Sequence, residues 1–133
     1  MTALLLDTGV FAMMLMDDSR LTQKLRAQIS GADRLCLSTI SFYEIGQKVR
    51  IGRWPEMTPH MDSLEMSADQ TGVEMLPVTA SVAQLASLMD WAHRDPFDRI
   101  ICALAKHEGL ALMSSDAAFD AVLENRIWDR SRS

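Results

Sequence analysis

The sequence predicts an α/β fold: a mainly parallel central sheet covered by helices on both faces. Three observations predict it. Short apolar runs such as Ala3-Leu4-Leu5-Leu6 and Leu110-Ala111-Leu112-Met113 carry no polar alternation, as strands buried on both faces do. Longer segments with helical periodicity separate those runs. The chain has 133 residues and 14.9 kDa, room for one domain over 1–133 but not for two.

Each element has its own local reason. Ala3 to Leu6 reads as a strand that ends at Asp7-Thr8-Gly9 and feeds a helix over 9–16. Leu21, Leu25 and Ile29 share one face of a helix over 20–29. Arg34 to Leu37 is the next strand, and a helix over 41–51 follows. Residues 59–71 read as helical, and Glu74-Met75-Leu76 as a strand stopped by Pro77. Val82, Leu85, Ala86 and Met89 fall at i, i+3, i+4 and i+7 of a helix over 80–92. Pro96 opens a helix over 96–108 and Gly109 closes it. After the 110–113 strand come a short helix from 117 and a last strand at Ile127-Trp128.

Composition narrows the function. Hydrophobic residues at 48% and charged residues at 23% exclude a disordered or low-complexity chain. Two distant cysteines, Cys36 and Cys102, exclude a disulfide framework and a zinc knuckle. Met1 to Met16 is too short and too broken by Asp7 for a membrane span, and no basic residue precedes its apolar part as in a signal peptide. A cytoplasmic, non-membrane protein is therefore expected. The net charge of −5 argues against a nucleic-acid binder, but residues 54–93 hold six acids and no Lys or Arg. The rest of the chain has a balance of +1, and of +5 if four of its acids sit on a metal ion.

Four acids stand where such sheets bind ligands, outside the carboxyl ends of the strands. Asp7 follows the first strand and Asp116 follows the 110–113 strand. Glu44 lies in the helix after the second strand, and Asp98 in the first turn of the 96–108 helix, beside the Phe97, Ile100, Ile101 and Leu104 stripe. Singly, each has a structural explanation. Asp7 and Asp116 suit helix caps, Ser41-x-x-Glu44 suits a capping box, and Asp95 with Asp98 resembles one. Together they place four carboxylates on one edge, where mutual repulsion calls for a cation. Oxygen ligands suit Mg2+ or Mn2+, which polarise phosphoryl oxygens and acidify bound water. The histidines His60, His93 and His107 show no ligand spacing, so carboxylates are expected to do the binding.

These residues carry a family resemblance. The strand ending in Asp7-Thr8, the Ser41-x-x-Glu44-Ile45 helix start with Lys48 and Gly52, the run His93-Arg94-Asp95-Pro96-Phe97-Asp98-Arg99, and Ser114-Ser115-Asp116-x-x-Phe119 together resemble a PIN domain of the VapC toxin type. The resemblance covers nearly the whole chain. It implies a PIN-like three-layer α/β/α fold and a Mg2+- or Mn2+-dependent endoribonuclease. It also implies a homodimer, a cognate antitoxin, and cleavage to 5′-phosphate and 3′-hydroxyl products. It maps the metal and catalytic acids onto Asp7, Glu44, Asp98 and Asp116, with Ser114 in the place of a small hydroxyl residue. Asp7 and Asp98 would be the principal ligands, with Glu44 and Asp116 binding directly or through water.

Lys48, Arg50, Arg53 and Arg99 lie near these motifs and could hold RNA phosphates, with Lys48 and Arg99 the stronger candidates. Two other enzyme classes with an acid after the first strand do not fit. A haloacid-dehalogenase-like phosphatase needs a second Asp at position 9, which is Gly. A receiver domain needs a Lys after a later strand, and none follows position 106. The non-enzymatic alternative is a catalytically silent PIN-like module that binds RNA or protein. Val10 to Met16, apolar all round, leaves a surplus that a second subunit could bury.

Overall fold

A computed structural model describes residues 2–130 of the chain. Met1 and residues 131–133, the two ends of the expected domain, lie outside the described residues. The order of elements is β1 (Ala3–Leu6), α1 (Thr8–Leu15), α2 (Gln23–Ser30), β2 (Arg34–Ser38) and α3 (Ile40–Arg50). There follow α4 (Leu64–Thr71), β3 (Glu74–Leu76), α5 (Ala80–Leu88), α6 (Pro96–Glu108), β4 (Ala111–Met113) and β5 (Arg126–Ile127). Two 3-10 segments, Pro55–Ser63 and Ala117–Ala121, complete it.

All five strands are parallel, in the order β3-β2-β1-β4-β5. β1 is central, with Leu5 opposite Cys36 on one side and Leu112 on the other. Successive side chains of a strand point to opposite faces. Leu4, Leu6, Leu37 and Met113 accordingly pack with Val10, Phe11, Leu25, Ile45 and Leu64 of α1 to α4. Leu5, Cys36 and Leu112 pack with Val82 and Ala86 of α5 and with Ile101, Cys102 and Leu104 of α6. The sheet is therefore the middle of three layers, as expected.

Three boundaries differ from the sequence reading by more than one residue. The helix expected over 59–71 begins as 3-10 turns, because Pro55 and Pro59 bring no N–H to an α-helical ladder. α2 starts at Gln23 rather than at 20, where the Thr22 hydroxyl accepts from Leu25 N–H. The helix expected over 80–92 stops at Leu88, and Met89 turns extended at φ −57, ψ 132. The carbonyls beyond that point go to Arg99 instead, as described below. Val82 and Ala86 of that helix are buried, but Leu85 and Leu88 are exposed. Gly109, at φ +66, closes α6 in a left-handed cap that a side chain would strain.

The apolar run of α1 is used inside the chain. Val10 to Met13 are buried, and Met14, Leu15 and Met16 pack partly buried against the same core. Of the surplus expected for a second subunit, Val10 to Met13 are taken up by the core, while Met14, Leu15 and Met16 keep part of their surface exposed.

Candidate active site

Each site acid comes from a separate strand–helix junction. Asp7 leaves β1 with its N–H donating to Met113 O of β4 at 3.1 Å. Its Oδ1 accepts from Val10 N–H at 2.8 Å and so caps α1. The Thr8 and Ser41 hydroxyls meet at 2.8 Å in the interior, tying the start of α1 to the first turn of α3. Ser41 is thus no capping-box residue; its hydroxyl joins the helices that carry Asp7 and Glu44. Glu44 is buried on α3, with Oε2 ion-paired to Lys48 Nζ one turn on. Its Oε1 is buried with no hydrogen-bond partner among the described residues.

On α6, Asp95 is the cap, accepting from Phe97 N–H at 2.9 Å. Asp98 does not complete a capping box. Its Oδ2 lies 2.7 Å from His93 Nε2 instead. Asp116 follows β4, is exposed, and caps the next turn by accepting from Ala118 N–H at 2.9 Å. The Ser114 hydroxyl, fully buried, accepts from Asp116 N–H at 3.1 Å. Arg126 braces this turn from outside, donating to Ser114 O at 3.0 Å while paired with Asp120.

Electrostatics links the acids. Burial pushes the Asp7 carboxyl up to about 6, and the charges of Asp98 and Glu44 push the same way, while the Ser114 hydroxyl and Val10 N–H oppose it. Burial also raises Asp98, against the hydrogen bond from His93, with Asp95 and Glu44 adding to the rise. Asp98 and Asp116 each offer an oxygen, and His93 a nitrogen, all within 4.8 Å of one another. Asp7, Glu44 and Asp98 are therefore coupled by charge, and Asp98 and Asp116 by proximity. The cap assignments of Asp7 and Asp116 also hold, but each cap uses one oxygen of its carboxylate.

Two sequence expectations change. The sequence offers Arg99 as a holder of phosphate. Its guanidinium instead donates to the carbonyls of Ala86, Met89, Trp91 and His93 at 2.7–3.0 Å. Four of five N–H donors are engaged, so Arg99 fixes the 89–95 segment rather than meeting a substrate. His93, set aside for lack of ligand spacing, stands beside Asp98. The irregular segment before Pro96 brings it there, a relation that no helical period encodes. Lys48 keeps its place beside Glu44, with Nζ 5.6 Å over the Trp54 ring.

A buried, unpartnered oxygen on Glu44, beside Asp7 and Asp98 whose carboxyls burial and its charge raise, is a set that a divalent cation fits. The PIN domain model matches residues 4–124. The chain belongs to the PIN domain family. No curated protein sequence matches it. Among solved structures, this PIN domain is similar to a chain of the toxin–antitoxin complex from Klebsiella pneumoniae, with TM-score 0.70 and 16% identity over 94% of this chain and 96% of that one. It is similar to a chain of VapBC2 from Rickettsia felis bound to promoter DNA, with TM-score 0.68 and 14% identity over 96% and 98%. It is also similar to Mycobacterium tuberculosis VapC20, a sarcin–ricin loop cleaving toxin, with TM-score 0.63 and 18% identity over 90% and 94%. At these identities the likeness is one of fold.

Proposed function

We propose that this PIN domain is a divalent-metal-dependent endoribonuclease and the toxin of a toxin–antitoxin pair. The observation that carries the nuclease half is Glu44 Oε1, buried and unpartnered beside acids whose charges add up. A buried carboxylate oxygen left without a partner is costly, and a cation removes that cost. Asp7, Glu44, Asp98 and Asp116 would hold Mg2+ or Mn2+. Such an ion would polarise a phosphoryl oxygen and ease ionisation of a water.

The remaining work falls to side chains. Ser114 orients Asp7 and starts the turn that carries Asp116. Glu44 and Asp116 orient the attacking water. Its oxygen bonds to phosphorus and gives up a proton to solvent, the bond from phosphorus to the 3′ oxygen breaks, and that oxygen takes up a proton from solvent. Lys48 brings a positive charge to the helix face of Glu44 and offers its remaining N–H donors to a phosphate.

The toxin half rests on the company of the fold: the similar structures include a toxin–antitoxin complex and an RNA-cleaving toxin. An antitoxin Arg or Lys would enter the acidic cleft, and a homodimer in the cytoplasm is the expected resting form. No helix among the described residues is long and apolar enough to cross a membrane. Single-stranded RNA should be cut with Mg2+ or Mn2+ and left intact in excess chelator. Expression alone should arrest growth, and co-expression with a neighbouring small reading frame should restore it. Cleavage in chelator would refute the nuclease. Cleavage in vitro without growth arrest would refute only the toxin role.

A further inference from the structure

The sequence leaves the site to carboxylates, yet the fold delivers an imidazole to it. His93 Nε2 stands 2.7 Å from Asp98 Oδ2, and donor atoms of His93, Asp98 and Asp116 all lie within 4.8 Å of one another. Donors held about 2.1 Å from one ion stand about 3 Å apart when adjacent and about 4.2 Å when opposite. The three atoms therefore have the spacing of one ion's ligands, within roughly half an ångström of adjustment by that same geometry.

The imidazole is fixed rather than passing. Its ring stacks on Trp91, with centroids 4.7 Å apart and planes at 29°. Trp91 in turn rests on the buried Phe119, which follows Asp116 in the chain, at 5.6 Å. Arg99 takes the main-chain carbonyls of Trp91 and His93 themselves, so the helix that carries Asp98 also holds the segment that carries His93. A scaffold needs only one such tie. Here a guanidinium, an indole and a carboxylate agree on one position for the ring. Outside this cluster, Glu44 is buried with its Oε1 unpartnered, and its charge acts on Asp98, a member of the cluster.

We propose that His93 Nε2 is a direct ligand, making a mixed nitrogen–oxygen centre that takes a first-row transition ion in preference to Mg2+. The proposal rests on the metal centre of the nuclease reading and names its chemical class. Mg2+ keeps oxygen ligands, whereas Co2+ and its neighbours gain from imidazole. A role limited to steering Asp98 would leave the choice of metal unchanged.

The test is binding of Mn2+, Co2+ and Mg2+ to the full chain, by calorimetry, with pulsed EPR on the Mn2+-loaded protein. The wild type should show nitrogen hyperfine coupling of an imidazole ligand. His93→Phe keeps the stack on Trp91 and should lose that coupling. It should also lose Co2+ affinity by about tenfold or more, with Mg2+ affinity changed by no more than about threefold. His93→Gln can still bond to Asp98. It should recover neither the coupling nor the Co2+ affinity, and it stands in if His93→Phe does not fold. Bound Mn2+ without nitrogen coupling, or equal losses for Co2+ and Mg2+, would overturn the ligand role and leave the nuclease reading standing. A wild type that binds none of the three ions would overturn both.

Discussion

The carboxylates on the outer surface and those at the sheet edge live under opposite electrostatics. Arg20 beside Asp18, Arg34 beside Glu74 and Arg126 beside Asp120 hold those carboxyls below the usual range. The pairs are close, at 2.7–2.9 Å, and solvent reaches them. At the edge, Asp7 is pushed up to about 6 and Asp98 is raised, each mainly by burial. No arginine pairs with them there among the described residues, and Lys48 is committed to Glu44. The surface acids each have an arginine; Asp7 and Asp98 have neither an arginine nor a lysine partner among the described residues. Half-buried carboxylates left without an arginine are what the proposed cation site requires.

The contrast breaks first at activity. Asp7→Asn and Asp98→Asn each keep shape and remove one charge, and each should lower RNA cleavage at least about 100-fold. Matched neutral substitutions at Glu74 or Asp120 should leave the rate unchanged. Cleavage rates at saturating Mn2+ decide it.

The next effect is on stability. Arg99→Ala frees the carbonyls of Ala86, Met89, Trp91 and His93 and should cost roughly 3 kcal/mol in denaturant unfolding. Arg99→Lys should not restore it, because an ammonium cannot reproduce the planar fork.

A smaller effect has the opposite sign. Asp7 has a folded-state pKa near 6, raised above its ordinary 3.8, so folding favours its protonated form. The metal-free protein therefore loses stability from this group as pH rises from about 4 to about 6. Asp7→Asn keeps a good cap. It should stabilise the metal-free chain by something on the order of 2 kcal/mol at pH 7 and by almost nothing at pH 4. Equal unfolding midpoints for the two proteins at pH 7 would contradict the burial of an unneutralised charge. Smallest of all, Glu74→Gln should leave the unfolding midpoint unmoved, since exposed pairs contribute little.

The sheet and the acids were legible in the sequence because both depend on local signals. Leu4, Leu5 and Leu6 declare a strand buried on both faces, and an acid directly after a strand, like Asp7, has its place set by the fold class. What was not legible depends on contacts across the chain. Arg99 reads as a surface cation beside Asp98, and only the path of residues 86–93 shows that its partners are carbonyls. For the same reason the 80–92 helix ends early at Leu88: its apolar period continues to Met89, but the arginine claims the backbone. His93 joins Asp98 through the irregular segment before Pro96, and neither the helical nor the strand period links residues five apart. Proline content explains the 3-10 turns at 55–63, a signal present in the sequence and outweighed there by helical residues.

The most direct test of the central claim, that the edge acids form a cation site, is the thermal midpoint of chelator-treated protein with and without Mn2+. At Mn2+ concentrations well above the dissociation constant, the wild type should rise by about 5 °C. Asp7→Asn should start higher without metal and gain little from it. A wild type that does not respond, or an Asp7→Asn variant that gains as much as the wild type, would contradict the account.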